Sequence, residues 1–306
     1  MQRVLTTVTL LGLLVATAAA FAITEHLKLE KSPVSIGKIS SVLSPVCDCP
    51  TRKAIVRFTL RRTGRVSVAI VDAGHHRVAT IASNVLAGAH SPQHFAWDGR
   101  TDAGGEASDG VYYPRIELPR HTYQLNNRIV LDTVSPRVVS ATGLKPVLLA
   151  GPGRSVAIRY TFDEQAHALV YLDGRRIIVG RKSRPQAKIK WNGKLDHQPV
   201  RAGTYVLSIG ARDLAGNETP AAKRKSVTVD VRYFELSPQR ITVGSGGRIR
   251  VHVTTTERRY SWRLGQRHGE RRGRVLRLRA PSTPGTYRLV VGRGGQSATV
   301  VVRVHR

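Results

Sequence analysis

Apolar and polar positions alternate with a period of two along most of the chain after residue 50. Val56, Phe58 and Leu60 flank Arg57 and Thr59, and Val66, Val68 and Ile70 flank Ser67 and Ala69. Such a period turns one face of a strand inward and leaves the other wet. The same pattern recurs in Val156, Ile158, Tyr160 and Phe162, in Tyr205, Leu207 and Ile209, in Ile249, Val251 and Val253, and in Ala298, Val300, Val302 and Val304. Turn clusters such as Asp72-Ala73-Gly74, Asp173-Gly174 and Gly244-Ser245-Gly246-Gly247 separate these runs. Many short strands with turns between them predict an all-β chain of sandwiches.

The N-terminus breaks the pattern. Arg3 precedes an uncharged run from Val4 to Ile23 that is apolar on every side and ends in Ala18-Ala19-Ala20-Phe21-Ala22. A positive start, an apolar core and small residues at its end are the layout of an export signal. The run is also long enough to span a bilayer as a helix. Residues 1–23 are therefore either a cleaved signal peptide or a retained membrane anchor helix, and both export the rest of the chain. Residues 24–44 read as a stalk.

The chain also repeats itself. Arg57-Phe58-Thr59-Leu60 matches Arg159-Tyr160-Thr161-Phe162, and the strand Val66 to Ile70 matches Ala168 to Leu172. Further on, Trp97-Asp98-Gly99 matches Trp191-Asn192-Gly193, and Asp109-Gly110-Val111-Tyr112 matches Ala202-Gly203-Thr204-Tyr205, with a shorter loop in the second copy. A more diverged unit ends in Pro284-Gly285-Thr286-Tyr287, but its Trp262 lies in a different strand. These matches divide the chain into modules at 45–130, 131–231 and 232–306.

At these residues the sequence resembles the FlgD-type Ig-like domain, a module named for the flagellar hook-capping protein and found in many bacterial secreted and surface proteins. Trp97-Asp98-Gly99-Arg100-Thr101-Asp102-Ala103-Gly104-Gly105 followed by Ser108-Asp109-Gly110-Val111-Tyr112-Tyr113 carries the likeness. It extends over about 54–118 and, with Asn192 in place of Asp98, over 154–212; residues 232–306 show only a generic Ig-like pattern. The resemblance implies tandem Ig-like β-sandwich modules after the N-terminal apolar helix. It carries fold and not flagellar function. Trp97 and Trp191 are expected to plug the ends of their sandwiches, and Asp98 to bond turn amides behind Trp97. Gly110 and Gly203 are expected to provide backbone freedom where the chain enters Tyr112 or Tyr205.

Charge changes the picture late in the chain. Lys and Arg outnumber Asp and Glu by 49 to 20, for a net charge of +29. The net charge rises from +4 over 45–130 to +9 over 131–231 and +14 over 232–306, where all 17 cations are Arg. An arginine-rich coding bias spreads such charge over any solvated surface, so density rather than count points to a site. It peaks at Arg258, Arg259, Arg263, Arg267, Arg271, Arg272, Arg274, Arg277 and Arg279, against Glu270 alone. This stretch is either a solvated face or a contact for phosphate-rich envelope polymers, anionic lipids or nucleic acid. No nucleic-acid module or stacking platform accompanies it, so nucleic acid is not the expected partner.

Little else suggests chemistry. The 11 His are scattered, His75-His76 sits in a turn, and no nucleophile, zincin or phosphate-loop motif appears. No enzymatic activity, small-molecule substrate or cofactor is expected. Cys47 and Cys49 are the only cysteines, too few for a zinc site, and in an exported chain they predict a tight local disulfide. Asp98 and Asp102 in the first module and Asp213 and Asn217 in the second offer hard oxygens for calcium. Asp and Asn are also strong turn formers, and turns are the preferred reading of these residues. The sequence thus describes an exported, membrane-anchored or secreted protein with structural or binding modules. The alternative is a scaffold or cap for assembly of a surface appendage.

Overall fold

The computed structural model describes residues 10–22, 32–144, 147–151 and 153–306. It comprises an N-terminal helix followed by Ig-like β-sandwiches, and the chain divides into two compact units, 1–133 and 134–306. Residues 10–22 are helical with Leu10, Leu11, Leu13, Leu14, Val15 and Phe21 exposed. No helix among the described residues is long and apolar enough to cross a membrane. The run 4–23 read as signal or anchor extends outside the described residues at both ends.

In unit 1 the strands are β1 (Val34–Ile39), β2 (Val42–Leu43), β3 (Ala54–Leu60), β4 (Gly64–Asp72), β5 (Arg77–Ala87), β6 (Pro92–Trp97), β7 (Gly110–Leu118), β8 (His121–Gln124) and β9 (Ile129–Leu131). A three-stranded sheet, β1-β3-β6, packs on a larger one ordered β2-β9-β7-β4-β5, with β8 on β7. Val56 and Phe58 meet Val68, Ile70 and Ile116 in the core between them. Residues 34–43, read from sequence as part of a stalk, form β1 and β2 instead. Only Val34 and Leu43 of those strands are buried, and the short Val34-Ser35-Ile36-Gly37 alternation breaks off at Lys38.

Unit 2 holds two further sheet pairs. In the first, β10 (Val138–Gly143), β12 (Val156–Phe162) and β15 (Gln186–Trp191) form one sheet. The order β11-β19-β18-β13-β14 forms the other, from β11 (Val147–Leu149), β13 (His167–Leu172), β14 (Arg175–Val179), β18 (Gly203–Arg212) and β19 (Lys225–Arg232), while the short β16 (Lys194–Leu195) and β17 (Gln198–Pro199) make a hairpin. In the second pair, β20 (Phe234–Ser237), β22 (Arg248–Thr255) and β25 (Val275–Arg279) face the order β21-β27-β26-β23-β24. Those strands are β21 (Arg240–Gly244), β23 (Tyr260–Leu264), β24 (Arg267–Arg271), β26 (Gly285–Arg293) and β27 (Gln296–His305).

All three sandwiches share one device. The entering chain splits, its first half antiparallel in the small sheet and its second half parallel to the last strand of the large sheet: β2 on β9, β11 on β19 and β21 on β27. Each core holds one tryptophan, Trp97, Trp191 or Trp262. The third is placed differently. Trp262 lies on β23 across from Gly269, where a Cβ would come within 3.2 Å of the indole Nε1, and Ala280 follows β25 where the other two modules end in Trp.

Candidate functional site

The tryptophan motifs place a buried indole in the core of each of the first two sandwiches. Trp97 donates its indole proton to the Arg100 carbonyl at 2.8 Å, and its ring meets Tyr112 edge-on with centroids 4.9 Å apart. Trp191 repeats both contacts, to the Lys194 carbonyl at 3.0 Å and to Tyr205 at 5.7 Å. Asp98 Oδ1 accepts the Arg100 amide at 3.1 Å, bracing the turn behind the first tryptophan.

A tyrosine contact recurs in all three sandwiches. The hydroxyl donates to the carbonyl four residues earlier: Tyr112 to Ser108, Tyr205 to Arg201 and Tyr287 to Thr283. Sequence reading singled out the first two tyrosines and missed this bond, which pins the loop entering the last hairpin. Gly203 has φ +159, whereas a Cβ at Gly110 would meet Tyr112 only at 3.8 Å, an ordinary contact. The expected need for glycine at 110 is therefore not steric.

The acidic side chains bond separate backbone segments. Asp102 accepts the Thr80 amide at 2.7 Å and its hydroxyl at 2.9 Å, while Asp109 accepts the Thr133 amide at 3.0 Å. Asp213 is buried; its Oδ1 accepts the amides of Gly216 and Asn217, and its Oδ2 accepts the Asn217 side-chain amide at 2.8 Å. Glu218 turns to the Tyr171 hydroxyl and to Arg176. Glu164, which the sequence did not single out, brings a carboxylate oxygen within 4.8 Å of Asp213. These two carboxylates are the hard-oxygen donors that a calcium ion favours, and the Asp213 oxygens already hold a backbone turn together.

Two other sequence features are local. Cys47 and Cys49 are joined by a disulfide directly before a short 3-10 turn at Pro50–Arg52. In the turn after β4, His76 donates its backbone amide to Asp72 Oδ1 at 2.9 Å, and this bond holds the Asp72 carboxyl below its ordinary value.

The nine arginines between 258 and 279 are all exposed, and none of them forms an ion pair among the described residues. Earlier in the chain, exposed arginines find acids: Arg77 with Glu117, Arg175 with Asp196 and Arg176 with Glu218. The structure divides the nine rather than gathering them. Arg259, Glu270, Arg271 and Arg272 line a surface depression of about 300 Å³. Arg263 lies on β23 of the large sheet, whereas Arg277 and Arg279 lie on β25 of the small one. There they meet Arg248 and Arg250 of β22, two residues that sequence reading did not include.

No protein-family model and no curated protein matches the chain. Solved structures do match. A three-domain titin fragment, I67–I69, is 14% identical with a TM-score of 0.30, covering 90% of this chain and 98% of its own. Sidekick-1 immunoglobulin domains 1–5 are 11% identical with a TM-score of 0.27, over 89% of this chain and 58% of theirs. A Bacteroides ovatus protein, SGBP-B of a mixed-linkage glucan utilization locus, solved with a mixed-linkage heptasaccharide, is 13% identical with a TM-score of 0.25, over 90% of this chain and 71% of its own.

Proposed function

We propose that the chain is a non-catalytic, exported protein of the bacterial cell envelope or surface whose tandem Ig-like modules bind anionic envelope polymers. Its modules divide in sequence near residues 130 and 231, with β1 and β2 belonging to the first. The paired Trp-Tyr motifs of the first two modules support a FlgD-type relation, and the apolar run at the N-terminus supports export. Tandem sandwiches suit structural and binding roles, since they present large rigid surfaces.

One observation carries the binding reading. The exposed arginines between 258 and 279 lack acidic partners among the described residues, so their charge is available to a polyanion. Co-sedimentation of the full chain with isolated cell envelopes at rising NaCl tests it. Release with salt, and weaker retention when Arg271, Arg272 and Arg274 are changed to Ala together with Arg277 and Arg279, is expected. Retention that ignores both salt and these changes refutes the reading. N-terminal sequencing of the mature protein then decides between cleaved signal and retained anchor.

A further inference from the structure

The wet face of the β20-β22-β25 sheet carries four arginines in a two-by-two array. The strand register sets Arg248 opposite Arg279 and Arg250 opposite Arg277. Burial alternates along both strands, with Ile249, Val251, Leu276 and Leu278 inward and all four arginines outward on the same face. Neighbouring strands lie about 4.8 Å apart, and alternate residues about 6.7 Å apart along a strand. Four positive charges therefore stem from a patch roughly 5 by 7 Å at the backbone.

Like charges directly opposite across a strand pair repel. None of the four forms an ion pair among the described residues. Arg267 of the neighbouring sheet donates to the Arg279 carbonyl at 3.0 Å and brings a fifth guanidinium to that corner. Glu235 is the one carboxylate on the three strands and sits opposite Thr254, at the other end of β22 from Arg248. Codon bias explains many arginines, but it does not explain two successive Arg-Arg oppositions on one face whose sole carboxylate, Glu235, lies toward the far end of β22.

Resting on the envelope-polymer reading above, we infer that this array binds a linear, base-free phosphodiester polymer of the polyol-phosphate or sugar-phosphate kind, laid along β22 and β25. Guanidinium forks match phosphate oxygens two at a time, which a lysine ammonium does not. Charges spaced in series along a strand suit a chain with one charge per repeat. The arginines lie on an exposed sheet surface, which suits a polymer rather than an enclosed small ligand. No Phe, Tyr or Trp occupies an outward position on these three strands, so bases find no stacking platform there.

The test is titration of the full chain with poly(glycerol phosphate) at several NaCl concentrations. The double change Arg277→Gln with Arg279→Gln is expected to weaken binding at least tenfold at low salt. It is also expected to flatten the slope of log K against log salt by about 1.4, the contribution of two phosphate contacts on a single flexible strand. Arg248→Gln with Arg250→Gln on the partner strand gives the same loss, and a melting temperature that does not fall shows that folding is intact. Arg277→Lys with Arg279→Lys keeps the slope while losing affinity.

If the sheet-face changes leave binding intact while Arg271→Gln, Arg272→Gln and Arg274→Gln remove it, the array is overturned and envelope binding stands. If no poly(glycerol phosphate) or envelope binding is detected for the unmodified chain, both readings fall. Tighter binding of single-stranded DNA of equal charge through the same four residues overturns the assignment to a base-free polymer.

Discussion

Tyr233 donates its hydroxyl proton to the carbonyl of Val200 at 2.5 Å. Its ring also packs against both hydrophobic cores of the 134–306 unit. Two contacts act alongside it. Thr256 Oγ1 donates to the Ala150 carbonyl at 2.7 Å, and the Ala202 amide donates to Gln296 Oε1 at 3.1 Å. These bonds join the two sandwiches of that unit through chain segments far apart in sequence.

The unit is therefore expected to unfold in one calorimetric transition. Gly151 has φ +156, and a Cβ there would come within 2.2 Å of Thr256 Oγ1. Gly151→Val should split the transition into two and destabilise the unit by about 1 to 3 kcal/mol through overpacking. Tyr233→Phe should cost about 1 kcal/mol, the usual net worth of one hydrogen bond. A single unshifted transition in the Gly151 variant would falsify the coupling.

Each core has its own tryptophan, which lets the sandwiches be followed separately. Trp97→Ala should destabilise unit 1 by about 3 to 5 kcal/mol, and Trp191→Ala should do the same to unit 2, as expected for a large buried aromatic. Calorimetry with tryptophan fluorescence reads this directly. A shift confined to the wrong unit, or none at all, contradicts the assignment of these rings to the two cores.

High pH should weaken unit 2. Burial pushes the Tyr171 hydroxyl above its ordinary value, and the nearby Glu218 carboxylate acts in the same direction. Burial likewise raises Tyr160, and it raises Tyr260 against the opposing influence of Arg271. A phenol whose folded pKa is raised gives stability that is complete below the unfolded value near 10 and is lost as pH rises through the folded value. Urea midpoints should thus fall as pH climbs above about 10, with no pH dependence from these phenols near neutrality. Midpoints that hold steady well above that pH would show that the rings ionise without penalty.

Replacing one arginine of the sheet-face array with an acid should stabilise the fold. Arg250→Glu converts the opposition to Arg277 into a cross-strand ion pair, for a gain of about 0.5 kcal/mol. The same change should weaken polymer binding. Stability and binding then move in opposite directions, and parallel losses in both would instead indicate local unfolding.

Much of this architecture is legible in the sequence because half-buried strands alternate. β3 and β12 read as inward Val56, Phe58 and Leu60 and inward Val156, Ile158, Tyr160 and Phe162, and the structure buries all of them. The Trp-Asp/Asn-Gly and Gly-Val/Thr-Tyr motifs likewise meet as edge-on aromatic pairs. What escapes is set by pairing across distance. β1 and β2 are recruited by β3 and β9 with little apolar signal of their own. Arg248 and Arg250 meet Arg279 and Arg277 only through register. Glu164 approaches Asp213 from another turn. Sequence density pointed to the arginine stretch, but local reading joined residues that the sheets separate.

The position of β25 at the edge of its sheet has a colloidal consequence. An open edge offers unpaired backbone groups to any strand that approaches, including the same edge of a second molecule. Arg277 and Arg279 on β25, and Arg267 and Arg271 on the other open edge at β24, keep copies apart by repulsion. A polyanion that neutralises them removes that guard, so turbidity should peak where polymer and protein charges balance and clear when either is in excess.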